Sequence, residues 1–229
     1  MVQTGQSTGR TLTLRHDAAK RLFDYWNALR TDRTAPPRRD VDPAALRPFL
    51  ANTFILELCD ANHALFRIAG TSLCAAFGRE LRDHNFLSLG DDAARLELQQ
   101  VIETVRRTAC GGLIRFVATT LDKSPHPGEF VVLPLTDDSG RISRAIGHFQ
   151  LYRGIESLAL RKLIRLQVSS AVIIDPASDR IEVDAGGEIP LRTRPLSLVK
   201  SLPPPAPRPS APSHEWARKL ASFIDTAEE

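Results

Sequence analysis

FRIAGTSLCAAFGREL, residues 66–81, joins a strand-like apolar run to a helix-sized one across a single glycine. Phe66, Ile68 and Gly70 fall on one face of a period-2 strand, and Leu73, Ala76 and Phe77 recur at helical spacing. Thr71 or Ser72 offers a hydroxyl to cap the helix, and Gly78 supplies the residue that reaches the left-handed conformation at its end. The stretch predicts a strand–turn–helix corner.

Upstream, Thr53–Leu58 (TFILEL) reads as a first strand, with DANH as a tight connection to the second. Before it, Asp42 caps a helical turn with Pro43 at its first position, which aims Leu46, Phe49 and Leu50 at the core. Pro36 and Pro37 hold an extended linker. From Asp17 to Arg30 the pattern DAAKRLFDYWNALR sets Ala18, Ala19, Leu22, Trp26 and Leu29 on one stripe, with Phe23 beside it and Asp17 as cap. That stripe docks on its own domain or on a second copy.

Downstream, RELRDHNFLSLG is a short irregular helical stretch. Asp91 then opens the longest helix, with Ala94, Leu98, Val101, Ile102 and Val105 inward. Gly111 and Gly112 break it, and three strand-like runs follow, LIRFVAT, EFVVLPL and AIGHFQLY. No βαβ repetition occurs, so an α+β fold is expected, with a mainly antiparallel sheet and helices on one face. Residues 153–168, RGIESLALRKLIRLQV, read as a helix, and VIIDPASDRIEV as a hairpin around Pro176–Asp179. SLPPPAPRPSAP is stiff and extended, a spacer or an aromatic-groove ligand. The last segment places Trp216, Leu220, Phe223 and Ile224 at helical spacing, suited to docking on its own domain or a partner.

The chain has 229 residues, 42% of them hydrophobic, enough for one core with extensions. Thirty basic against 27 acidic residues give a net charge of +3 and no polybasic track, so strong binding to nucleic acid or an anionic membrane is not indicated. Cys59, Cys74 and Cys110 are odd in number and far apart, which argues against a disulfide framework and a CxxC metal pair. A cytoplasmic location is expected, since no apolar run has signal-peptide or membrane-spanning length.

The order of these pieces resembles the PAS domain, and more narrowly the short PAS proteins common in alphaproteobacteria. The resemblance covers about residues 17–152 and rests on four stretches in order: YWNALR, RRDVDPAALRPFLANTFILEL, FRIAGTSLCAAFGREL, and a VVLPL strand followed by AIGHFQLY. It implies a five-stranded antiparallel sheet cupping a small cavity, with an N-terminal flanking helix and a loosely structured C-terminal extension. The expected division is a flexible tail at 1–16, a helical flank and Pro-rich linker at 17–50, a PAS-like core at 51–152, an extension of unknown type at 153–202, a Pro-rich linker at 203–212 and an amphipathic terminal helix at 213–229.

It also implies a sensory or protein-interaction role without a reaction. A photoactive flavin site would need a cysteine in Arg82–Gly90, which has none, and Cys74 sits one element too early. Haem would need an axial ligand, for which only His84 and His148 are placed near the long helix or the last strand. There is no G-x-S-x-G, P-loop, G-x-G-x-x-G or H-E-x-x-H motif, and the carboxylate pairs Asp91–Asp92 and Asp137–Asp138 belong to a helix start and a turn.

The expected cavity lining is Phe66, Ile68, Leu73, Phe77, Ile102, Val105, Ile114, Phe116, Val132 and Phe149, which either close into a filled core or hold a small molecule. Contacts with a second copy or a partner are expected at Leu22, Phe23, Trp26, Leu29, Trp216, Leu220 and Phe223. The reading is a non-enzymatic PAS-like regulatory protein, a homodimer that contacts a signalling partner. Its rival is a sensor that binds a metabolite, or less readily haem, in the cavity.

Overall fold

The computed structural model describes residues 10–184. The Pro-rich segment, the terminal stretch with Trp216, Leu220 and Phe223, and residues 1–9 lie outside the described residues.

In chain order the elements are β1 (Thr11–Leu14), α1 (Asp17–Arg30), α2 (Pro43–Leu46), β2 (Thr53–Asp60), β3 (His63–Ala69), α3 (Thr71–Phe77), α4 (Asp92–Thr108), β4 (Gly111–Thr120), β5 (Pro125–Thr136), β6 (Ile142–Leu151), β7 (Leu163–Ile174) and β8 (Arg180–Val183). Short 3-10 turns cover Arg38–Asp40, Arg47–Asn52, Phe86–Leu89 and Ile155–Leu158. An antiparallel sheet runs in the order β3-β2-β6-β5-β4-β7, and β1 pairs with β8 in parallel.

The α+β class holds, with six strands in the sheet where five were expected. The sixth is β7, which takes residues 163–168, the end of the stretch 153–168 whose leucine spacing predicted a helix, while Ile155–Leu158 forms only a short 3-10 turn. Consecutive left-handed residues, Ala159 (φ 46) and Leu160 (φ 66), end the preceding turn. The β-branched run Val172, Ile173 and Ile174 then favours extended chain. The predicted hairpin also differs: β8 leaves β7 and pairs with β1, so residues 11–14, placed in a flexible tail, form a strand.

Each face of the sheet is covered. Helices α3 and α4 lie on the inner face over Phe54, Leu56, Phe66, Ile114, Phe116, Phe130, Val132 and Phe149. Helix α1 lies on the outer face, where Leu22, Phe23 and Trp26 pack with Ile55, Val131, Leu133 and Ile146. This two-sided cover explains why EFVVLPL reads as a continuous apolar run: Phe130–Leu135 are buried from both sides.

The helix ends show which cap rules operate. Asp42 and Asp91 cap as expected, accepting from Ala44 N at 2.9 Å and Ala94 N at 3.0 Å. Gly78 closes α3 at φ 63. The cap of α1 is His16 rather than Asp17, its Nδ1 accepting from Ala18 N at 3.3 Å. At α3 the cap position is Gly70, with no side-chain bond, so neither Thr71 nor Ser72 caps it. Asp91→Ala is expected to cost about 1 kcal/mol, because it removes this bond and the carboxylate's interaction with the helix end. A urea melt that does not shift would contradict that role.

Candidate functional site

Two places bring functional side chains together, and a third is an exposed groove. The first is the inner core. Nine of the ten residues expected to line a cavity gather there around a phenylalanine cluster; Ile68 does not. A β-bulge is the reason. Ile55 pairs with Ile68 and Leu56 with Phe66, leaving Arg67 as the extra residue. Phe66 therefore keeps the inner face while Ile68 turns to the outer one, against the period-2 expectation.

The rings pack on one another. Phe116 and Phe130 have centroids 4.8 Å apart, Phe86 and Phe130 5.2 Å, and Phe130 and Phe149 5.4 Å. Glycines make room for two of them: a Cβ on Gly147 would run into the Phe54 ring, and one on Gly128 into the Phe116 ring. His148 is not aimed into this core, since its neighbour Phe149 holds the inner face and strand residues alternate. His84 is exposed in the loop after α3.

The second place is a polar cluster on the outer face. Register sets Ser170, Arg115, Glu129 and Gln150 side by side across β7, β4, β5 and β6. Glu129 is only 1% exposed. Its Oε1 accepts from Arg15 N at 2.9 Å, and Tyr152 OH lies 3.5 Å from Oε2. Burial pushes the Glu129 carboxyl up, against the Arg15 N–H bond and the charges of Arg115 and Arg15, which favour ionisation. The Arg115 guanidinium donates to Thr13 O, and Arg15 stands over the Tyr152 ring at 5.9 Å.

One row away, His148 is also 1% exposed, and among the described residues neither ring nitrogen has a hydrogen-bond partner. His16 stacks on it at 6.3 Å. Burial, with the nearby His16, pushes the His148 imidazole down to about 3. The cluster thus ties the N-terminal arm and the first turn of α1 to three central strands. Sequence reasoning missed it because alternating charged residues in a strand ordinarily face water, and the arm that covers them reads as a loose tail.

Helix α1 is held by the same face. Leu22, Phe23 and Trp26 are buried within the single chain, Leu29 is half-buried, and Trp26 Nε1 donates to Pro134 O at 2.7 Å. The stripe expected to meet a second copy is covered by its own sheet.

The third place is an open groove of about 580 Å³ lined by Leu121, Asp122, Arg161, Lys162 and Ile164. Leu121 is 85% and Ile164 60% exposed, and Leu160, next to Arg161 in the chain, stands wholly in solvent. Arg161 pairs with Asp122 and so joins the β4–β5 turn to the approach to β7. Catalytic geometry is weaker. Ser157 Oγ lies 3.5 Å from His126 Nδ1, but it donates to Gly154 O at 2.8 Å, so its proton is not directed at the imidazole. Among the described residues no group of three His, Cys, Asp or Glu side chains gathers to hold a metal, and no helix is long and apolar enough to cross a membrane.

The six-stranded antiparallel sheet carries helices over its inner face and a flanking N-terminal helix on its outer one. The chain belongs to the PAS domain family, whose model matches residues 14–150. No curated protein sequence matches it. Solved structures similar to it include VqmA of Vibrio cholerae in a complex with ligand and DNA, at 19% identity, TM-score 0.38, covering 48% of this chain and 49% of that one. The chain therefore spans about half the length of that relative. The blue-light photoreceptor Aureochrome1 LOV in its dark state is 16% identical, with TM-score 0.37 and coverage of 47% and 80%. A LOV protein of Rhodobacter sphaeroides is 10% identical, with TM-score 0.36 and coverage of 45% and 60%.

Proposed function

We propose that the chain is a non-enzymatic regulatory module that acts by contact with another protein, and that the groove beside Leu121 and Ile164 is the contact surface. The observation that carries this reading is the concentration of exposed apolar side chains there. Among the described residues five large apolar side chains stand in solvent; two of them, Leu121 and Ile164, line the groove, and a third, Leu160, adjoins its lining residue Arg161 in the chain. Apolar surface gathered in one concavity with a charged rim is the usual form of an interaction site.

The inner core supports the same reading from the other side. Phe54, Phe66, Phe86, Phe116, Phe130 and Phe149 are fully buried against one another, so the space beneath α3 and α4 is packed by the chain's own rings.

Capture from the source cell with the full chain and with a Leu121→Glu, Ile164→Glu variant tests the proposal. Both substitutions sit on exposed side chains, so circular dichroism of the two baits is expected to agree. A protein retained by the first bait, then purified, is expected to bind the variant at least tenfold more weakly. Equal affinity for the two would remove the groove from the mechanism. A small molecule that copurifies at one per chain would instead support the metabolite-sensor reading.

A further inference from the structure

The groove is built rather than incidental. Thr119 pairs with Arg165 and Thr120 with Leu163, so Ile164 is the extra residue of a β-bulge in β7. Bulges re-aim side chains, and this one turns Ile164 outward while Leu163 stays in the core. The residues just before it, Ala159 and Leu160, hold left-handed backbone without being glycine, at φ 46 and 66. That conformation is unfavourable for a leucine and presents its side chain to water. Lys162 lies across Gly78, its Nζ 3.4 Å from Gly78 O, and with Arg161 gives the groove a basic side. Lys123 and Arg165 are exposed nearby in the chain.

The chain carries a segment of matching chemistry outside the described residues. SHEWARKLASFIDTAEE, residues 213–229, has Trp216, Leu220 and Phe223 at four- and three-residue spacing, and Asp225, Glu228 and Glu229 at its end. Its apolar side chains suit Leu121 and Ile164, and its acidic end suits Arg161 and Lys162. Thirty-one residues, 185–215, separate Asp184 from Trp216, and at a rise of about 3.1 Å per residue a Pro-rich chain of that length is long enough to cross a domain this size. Tethering makes docking on the same chain intramolecular, with an effective concentration that does not fall on dilution.

We propose that segment 213–229 docks in the groove of its own chain, through Trp216, Leu220 and Phe223 against Leu121 and Ile164, and so occupies the surface that a partner needs. This rests on the reading of the groove as a contact surface and adds its regulation: a partner must displace the segment.

The two tryptophans of the chain make the test direct. Trp26 is buried, so acrylamide quenching in the full chain reports mainly on Trp216. Trp216 is expected to be shielded in the full chain at all protein concentrations, with sedimentation giving a monomer. Ile164→Glu is expected to raise its quenching constant at least threefold, and Leu220→Glu with Phe223→Glu to do the same without touching the described body. Quenching that is equal in the full chain and both variants overturns the docking. Shielding that disappears on dilution, alongside a dimer mass, overturns it in favour of a second copy. Partner binding lost in the Leu121→Glu, Ile164→Glu variant while Trp216 quenching stays unchanged overturns the docking and leaves the contact reading standing.

Discussion

Gly70→Ala is expected to lower folding stability by about 3 kcal/mol or more, the upper part of the range for forcing an atom into packed structure. The backbone of Gly70 has φ −65 and ψ 155, open to any residue, so the cost is one of contact and not of conformation. A Cβ there would stand closer than 3.0 Å to Ala51 O, Leu50 O and Ala51 C, all main-chain atoms. They have little freedom to retreat. Gly70 N donates to Thr53 O at 2.8 Å, Thr53 Oγ1 donates to Phe49 O at 2.8 Å, and Asn52 Nδ2 donates to Phe149 O at 2.8 Å. The turn at 47–52 is thereby fixed to β6 and to the joint itself. Urea unfolding should show a lower midpoint with an unchanged slope; a midpoint equal to the parent's would mean that the turn yields.

Acidification is expected to weaken the fold by about 1.4 kcal/mol per pH unit through His148 alone, starting near pH 6.5. The unfolded imidazole binds its proton near 6.5, and the folded one only near 3. Between those values the unfolded chain holds one more proton, so stability falls as pH falls. Glu129 works in the opposite sense. Its folded carboxyl is raised above the ordinary value, so its contribution is fully present at low pH and is lost as pH rises through the folded value. The interval from pH 6.5 to 5 separates His148 from the low-titrating carboxylates Glu57, Asp60 and Asp137. His126, which burial also pushes down, adds a slope of the same sign there.

His148→Phe keeps a ring under His16 and removes two buried nitrogens that lack partners among the described residues. Replacing such groups by apolar atoms of similar shape is close to neutral or stabilising. The variant is therefore expected to match or exceed the parent at pH 7 and to gain about 2 kcal/mol over it by pH 5. Parallel stability curves for the two proteins across that interval would show that His148 does not carry the effect.

Much of the fold is legible in local chemistry. The α4 stripe, the Asp42 and Asp91 caps and the left-handed Gly78 all follow from spacing or from what one residue type does best. The misses share a cause: they depend on partners distant in sequence. The leucine spacing of 153–168 fits a helix, yet β4 recruits 163–168 into an edge strand, and no local signal outweighs that spacing. One extra residue at Arg67 sends Ile68 to the other face, and nothing in FRIAG announces a bulge. The outer-face cluster depends on β1 returning over Arg115 and Glu129, which only the β1–β8 pairing makes visible. At the inner site, residue type was enough to gather nine of the ten positions. Where those side chains lead function depends on how tightly the rings fill the space between them.

The parallel pairing of β1 with β8 has a mechanical consequence. The chain enters the body at Thr11 and leaves it past Val183, with Thr11 beside Arg180 and Leu14 beside Val183. Tension applied to the two ends pulls the strands past each other along their length. The hydrogen bonds of the ladder, together with Arg180 N to Arg10 O at 2.8 Å and Asp184 N to Leu14 O at 2.9 Å, then share the load and resist together. An antiparallel pairing with both ends at one side would open bond by bond, like a zip. The junction has the geometry of a lap joint, in which tension on the two ends is shared along the β1–β8 ladder.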